Sequence, residues 1–234
     1  MPVLDPSVRP SSDLQSLFPR NVVVMESFAE GDPGSLSAGE AACLGRALPK
    51  RVREFAAGRH CARRALERFG LTGWDLRVRE DRTPVWPEGF VGSISHTAGF
   101  CAAAVGRRQE FRSIGLDVEI ALRVTPDLYT AFLTPGEQAA IGRMPSEAAD
   151  KMATLLFSAK EAFYKCQYPM TSEWLEFADI EVDMPANHLD KGGLNVRPAR
   201  SLALEQKFPL PWHGHFLIFG GFVATGFVFP WTER

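Results

Sequence analysis

The chain has 234 residues, 45% of them hydrophobic, which is enough for one large core or two small ones. Its 26 Lys and Arg against 28 Asp and Glu leave a net charge of −2, which argues against nucleic acid or another polyanion as partner. The cysteines (Cys43, Cys61, Cys101, Cys166) form no C-x-x-C pair, so no zinc site or disulfide framework is indicated, and a reducing compartment is expected. The N-terminal MPVLDPSVRPSSDLQSLF lacks the basic and apolar segments of a secretion signal, and no apolar run reaches membrane-spanning length. The expectation is a soluble cytoplasmic protein.

Residues 1–20, rich in Pro and Ser, read as an extended arm, and Asn21–Met25 as a short strand. Glu40–Leu48 can form a short helix. Residues 46–68 then hold eight Lys and Arg against two Glu, a local excess of about six positive charges. Within them, Lys50–Phe69 reads as a strong helix closed by Gly70. On a helical wheel Val52, Phe55, Ala56, Ala62, Leu66 and Phe69 form one stripe, and Arg59 and Arg63 fall inside it. A guanidinium on a buried face either snorkels out, pairs with an internal acid, or belongs to an anion pocket, for which its bidentate fork suits phosphate. Arg51, Arg53, Arg64 and Arg68 lie off this centre and read as surface charge.

Leu76–Arg79 reads as a short strand and Arg82–Pro87 as a proline-bounded loop. Val91–Ser95 and Phe100–Val105 are expected strands joined by a turn at Thr97–Gly99. The first ends in GSISH, Gly92–His96. Ser95 and His96 are adjacent on a strand and point to opposite faces, so they make a poor nucleophile–base pair, and no G-x-S-x-G elbow exists. A hydroxyl and an imidazole beside a glycine suit phosphate binding better, against the plainer reading of a turn with satisfied polar groups.

Ser113–Ile120, SIGLDVEI, alternates strictly. Ile114, Leu116, Val118 and Ile120 share one face, and Ser113, Gly115, Asp117 and Glu119 the other. Two carboxylates side by side repel unless a cation lies between them, and Mg2+ favours such oxygen ligands. The plain alternative is the solvated face of an edge strand. Thr134–Glu137 has the form of a helix start with a capping box. Lys151–Cys166 reads as a second strong helix, stopped before Pro169. It buries Met152, Leu155, Leu156, Ala159, Ala162, Phe163 and Cys166, while Glu161 and Lys165 stand four apart on the other face, with Phe157 and Tyr164 flanking them. Glu176–Val182 reads as a strand, and HFLIF-GG-FVATGFVF as a hairpin turning at Gly220–Gly221. The element order indicates an α+β fold, with a weak join near Arg107–Arg112.

Five segments in order, Phe55–Leu66 (FAAGRHCARRAL), Arg82–Pro87 (RTPVWP), Gly92–His96, Gly115–Glu119 (GLDVE) and Phe157–Lys165 (FSAKEAFYK), resemble the larger, monomeric 4′-phosphopantetheinyl transferases that serve siderophore, polyketide and nonribosomal-peptide synthetases. The resemblance covers about Lys50 to Pro169. It implies two similar α+β halves in one chain, divided here as 1–112 and 113–234 with the metal site in the second, and coenzyme A between them. It further implies Mg2+-dependent transfer of the phosphopantetheine arm of coenzyme A to a serine of an acyl or peptidyl carrier protein, releasing adenosine 3′,5′-bisphosphate. Asp117, Glu119 and Glu161 are the implied metal ligands. Glu161 is also the implied base, with Lys165 beside it in the catalytic pair. Arg59, Arg63, Arg82, Ser95, His96, Asp117, Lys160 and Lys165 are the implied coenzyme A contacts. Two other readings use the same residues: a metal-dependent phosphodiesterase or nuclease, and a non-enzymatic coenzyme A or carrier-binding module. Neither nucleic acid nor a membrane is an expected partner, and a monomer is expected.

Overall fold

The computed structural model describes residues 13–122, 124–183 and 190–231. The chain builds strands β1 (Val23–Ser27), β2 (Phe90–Thr97), β3 (Phe100–Arg107), β4 (Phe111–Ile120), β5 (Ile180–Asp183), β6 (Lys191–Pro198), β7 (Trp212–Phe219) and β8 (Phe222–Pro230). Its helices are α1 (Ala38–Ala42), α2 (Pro49–Glu67), α3 (Tyr129–Phe132), α4 (Pro135–Ile141) and α5 (Ser146–Thr171). Two antiparallel sheets result, one of order β1-β3-β2 and one of order β4-β8-β7-β6-β5. The fold is α+β, with α2 against the smaller sheet and α5 against the larger. Among the described residues, no helix is long and apolar enough to cross a membrane.

Local chemistry accounts for most of these elements. Pro49 opens α2, where its missing N–H costs nothing, and Gly70 takes φ +84 just beyond its end. The Thr134 hydroxyl accepts from Glu137 N–H at 3.2 Å and the Glu137 carboxylate accepts from Thr134 N–H at 2.8 Å, so the capping box forms as expected. Gly220 and Gly221, at φ +49 and +82, make the tight turn between β7 and β8.

Four expectations need correction. α5 does not stop before Pro169 but runs through it to Thr171, starting five residues earlier than the pattern implied. Pro169 removes one hydrogen-bond donor, yet buried Cys166 and Gln167 hold the helix in place, and Ser172 in the left-handed region closes it by donating its N–H to Tyr168 O at 2.8 Å. Leu76–Arg79 makes only an isolated bridge, Val78 to Pro84, because the prolines that follow deprive it of ladder donors. The proposed N-terminal arm lies outside the described residues up to residue 12, but Leu14–Leu17 is a 3-10 turn whose two leucines are buried. Finally, Lys191–Pro198 adds strand β6, which Gly192 and Gly193 deprive of an alternating apolar pattern.

The seam between the sheets positions the site. β2 and β4 run side by side without a backbone ladder. Instead the Ser93 hydroxyl accepts from Leu116 N–H at 3.0 Å, and the Ser95 hydroxyl accepts from Val118 N–H at 3.1 Å. Side chains two apart on β2 thus satisfy alternate donors along the open edge of β4. A shared apolar cluster runs under this seam, joining Leu14, Leu17, Phe100 and Ala102 to Leu116, Val118, Leu217 and Phe222. Behind β4, Gly115 meets α5: a Cβ there would lie 2.0 Å from Ala162 O, so only glycine lets helix and strand approach this closely.

Candidate active site

A cleft of about 1200 Å³ opens along the seam. β2 and β4 form its floor, α5 one wall, and α2 with the 78–86 loop the other. Of the expected site residues, Arg59, Arg82, Ser95, His96, Asp117, Glu119, Glu161 and Lys165 line it.

The acidic pair is not solvated. Asp117 is 3% exposed and Glu119 7%. Asp117 Oδ1 accepts from the Lys165 ammonium at 2.6 Å and from the Ser95 hydroxyl at 2.9 Å. Thr97 Oγ1 donates to Glu119 at 3.5 Å. Burial alone would pull the Lys165 ammonium down, but the Asp117 contact and the charges of Glu161 and Glu119 outweigh it and hold Lys165 above its ordinary value. Glu161, one turn earlier on α5, is raised, chiefly by burial and further by Asp117, with Lys165 opposing.

The opposite wall is cationic. Arg51 donates to Nε2 of His96. Burial, and then the Arg51 charge, lower the imidazole below its ordinary value, so it is neutral at pH 7. Arg59 is 5% exposed. Its Nε donates to Leu76 O at 2.8 Å, its guanidinium lies 3.8 Å from the Phe55 ring centre, and its Nη2 has no hydrogen-bond partner among the described residues. Burial lowers it to about 10. A buried guanidinium with an unused donor is costly unless an anion meets it. Arg51, which the helical wheel set among surface charges, belongs to this wall. It stands eight residues before Arg59 with Phe55 between, a spacing that already puts all three near one side of α2.

Two expected contacts are placed elsewhere. Arg63 donates both to Oε1 and to Oε2 of Glu40 at 2.7 Å. Glu40 is fully buried and also accepts from Leu76 and Ser37 N–H groups, so it satisfies Arg63 inside the protein. Lys160 is 1% exposed and spends its ammonium on Glu137 at 2.7 Å and on Phe132 O and Phe177 O, each at 2.9 Å. Neither lines the cleft. Ser95 reaches the cleft, but its hydroxyl is engaged by Val118 and Asp117 rather than left open for a phosphate. The aromatics Phe157 and Tyr164 do face the cleft, where Tyr164 stacks on Tyr168 at 5.3 Å and meets Trp174 edge-on at 5.5 Å.

The donors fit a hard divalent cation in kind, being carboxylate oxygens, and the buried Oδ2 of Asp117 has no hydrogen-bond partner among the described residues. Among the described residues, however, no three His, Cys, Asp or Glu are gathered into a ready cage. The Lys165 ammonium balances Asp117 in this arrangement.

Comparison with known proteins shows the family. A profile described as the 4′-phosphopantetheinyl transferase N-terminal domain matches residues 39–106, and one described as the 4′-phosphopantetheinyl transferase superfamily matches 113–212. The 4′-phosphopantetheinyl transferase PptT of Mycobacterium tuberculosis is 38% identical over 71% of this chain and 75% of its own. The 4′-phosphopantetheinyl transferase Npt of Nocardia iowensis is 29% identical over 92% of this chain and 99% of its own. Enterobactin synthase component D of Escherichia coli K12 is 37% identical over 50% of this chain and 54% of its own. The chain therefore belongs to the 4′-phosphopantetheinyl transferase family.

Proposed function

We propose that this enzyme transfers the 4′-phosphopantetheine group of coenzyme A to a serine hydroxyl of an apo acyl or peptidyl carrier protein, with Mg2+, releasing adenosine 3′,5′-bisphosphate. The observation that carries this reading is the pairing of two walls in one cleft: Asp117, Glu119, Glu161 and Lys165 face Arg51, Arg59 and His96. A pyrophosphate and a 3′-phosphate need cations, and in-line transfer needs a nearby base.

Arg51, Arg59 and neutral His96 bind the 3′-phosphate side, with Arg82 contributing from the loop. Lys165 donates to the pyrophosphate. Asp117, Glu119 and Glu161 would hold Mg2+, which when bound neutralises charge on the pyrophosphate. Glu161 takes the serine proton. The serine oxygen forms a bond to the pantetheine-side phosphorus, the bridging P–O bond breaks, and the bisphosphate leaves. Ser95 acts through Asp117 rather than on phosphate. We place the division of the chain between residues 112 and 113, so that these acids belong to the second half.

The test is intact-protein mass spectrometry of an apo-carrier incubated with the enzyme, coenzyme A and Mg2+. A gain of one phosphopantetheinyl group is expected. Glu161→Gln should slow the gain by about a hundredfold, the usual contribution of a positioned base. No gain with carriers of several classes would overturn the proposal.

A further inference from the structure

The cleft extends well past its catalytic end. Ser93 and Ser95 meet Leu116 and Val118 in the same order, so β2 and β4 run parallel along the floor, and α5 runs against them. One end therefore holds His96, Glu119 and Phe157, and the other Arg108, Arg112 and Ser172. By strand rise, Arg112 lies about 16 Å along β4 from Asp117. By helix rise, Ser172 lies about 16 Å from Glu161. The stretch between includes Trp86, Val91 and Tyr168, with Arg79, Asp81 and Arg82 on the neighbouring loop.

The far end is built around an arginine. The Arg112 guanidinium is clamped 4.0 Å from the Trp231 ring centre and 5.2 Å from that of Phe208. Trp231 is itself pinned, its backbone N–H donating to Glu110 O at 3.0 Å and its indole N–H to Arg108 O. The Nε of Arg112 is buried without a hydrogen-bond partner among the described residues. Among the described residues, neither Arg108 nor Arg112 makes a salt bridge. A guanidinium held rigid between rings loses little freedom on binding, and its fork matches a carboxylate.

Resting on the function proposed above, we propose that this end is a carboxylate subsite for the acyl terminus of coenzyme A thioesters. The phosphates are drawn to the Arg51–His96 end. An arm leaving them in the other direction passes Trp86, Val91 and Tyr168, whose apolar surface suits its methylenes and gem-dimethyl carbon. Extended, the arm has roughly a dozen bonds and reaches about 15 Å, at ~3.4 Å per three-bond unit of chain. Its sulfur then lies near Arg112. Free coenzyme A has no anion there. A four-carbon acyl group ending in a carboxylate does. The thioester itself is untouched, so the transfer chemistry is that of coenzyme A.

The experiment compares succinyl-coenzyme A with butyryl-coenzyme A, matched in chain length and differing in the terminal carboxylate. Each is titrated into the full chain by calorimetry and used as donor to an apo-carrier, with products weighed by mass spectrometry. The wild-type chain should bind and use the succinyl thioester at least about tenfold better, the scale of a charge-assisted bidentate contact. Arg112→Gln should erase that preference while leaving transfer from coenzyme A unchanged. Arg108→Gln, at an exposed position, should reduce it and provides the readout if Arg112→Gln fails to fold. Equal handling of the two thioesters by the wild type, or a preference that survives in both variants, overturns the subsite. A rise in carrier KM in the variants with no change between thioesters also overturns it, because the arginines would then read the protein substrate. Absence of transfer from coenzyme A itself would instead strike the proposed function.

Discussion

A charged side chain takes its role from the counter-charge the fold supplies. Arg59 and Arg63 look alike on the helical wheel, yet Arg63 serves the buried carboxylate of Glu40 and Arg59 faces the cleft with a spare donor. Arg63→Ala leaves a buried charge short of its partner, so it should cost about 3 kcal/mol of stability in a denaturant titration. It should leave coenzyme A affinity within about twofold, whereas Arg59→Ala should weaken it more than tenfold. Calorimetry on both variants decides between these roles. His96 gives a pH signature. Its folded value lies below its ordinary value of about 6.5, so the stability it contributes is present above that pH and is lost as pH falls through the folded value. His96→Gln should flatten that part of the stability profile, measured as denaturant midpoint against pH. The roles of residues 59 and 63 were not legible from the helix alone, because Glu40 lies 23 residues from the Arg63 it binds.

At the scale of elements, the two helices, the capping box and the terminal hairpin were readable because local patterns decide them. The strict alternation of Ser113–Ile120 also gave β4 correctly. What that pattern could not show is that its polar face is covered. α5 packs over that face at Gly115 and sets Lys165 on Asp117, while serines on β2 close the open edge of β4, so a face that reads as solvated is buried. Ser95→Ala should leave Val118 N–H unsatisfied and Asp117 with one contact fewer, costing about 2 kcal/mol in thermal or denaturant unfolding. Gly115→Ala is harsher. The added methyl would collide with the Ala162 carbonyl, and a loss of about 3 kcal/mol or failure to accumulate folded protein is expected, read by circular dichroism and gel filtration. The extension of α5 past Pro169 shows the converse, with packing holding a turn that local propensity disfavours.

For the whole molecule, each sheet has a core against its own helix, and a third cluster joins the two. In it Leu14, Leu17 and Phe100 pack with Leu116, Leu217 and Phe222, so part of the apolar surface on each side of the seam is buried by the other. Expressed alone, residues 1–112 and 113–234 should each lack cooperative unfolding and dispersed amide resonances, and mixing should restore both. A cooperative transition from either piece alone would contradict this. The cleft lies on the same seam, so folding and site assembly are one event. By itself, the sequence determined the α+β class, the strong helices and the kinds of side chain available, because these follow from periodicity, capping and composition. Only the tertiary structure decided which arginines face the cleft, that Lys160 and Arg63 are internal partners, and that Ser95 serves Asp117. Burial and charge neutralisation act between residues far apart in the chain, and only the folded seam brings them within reach.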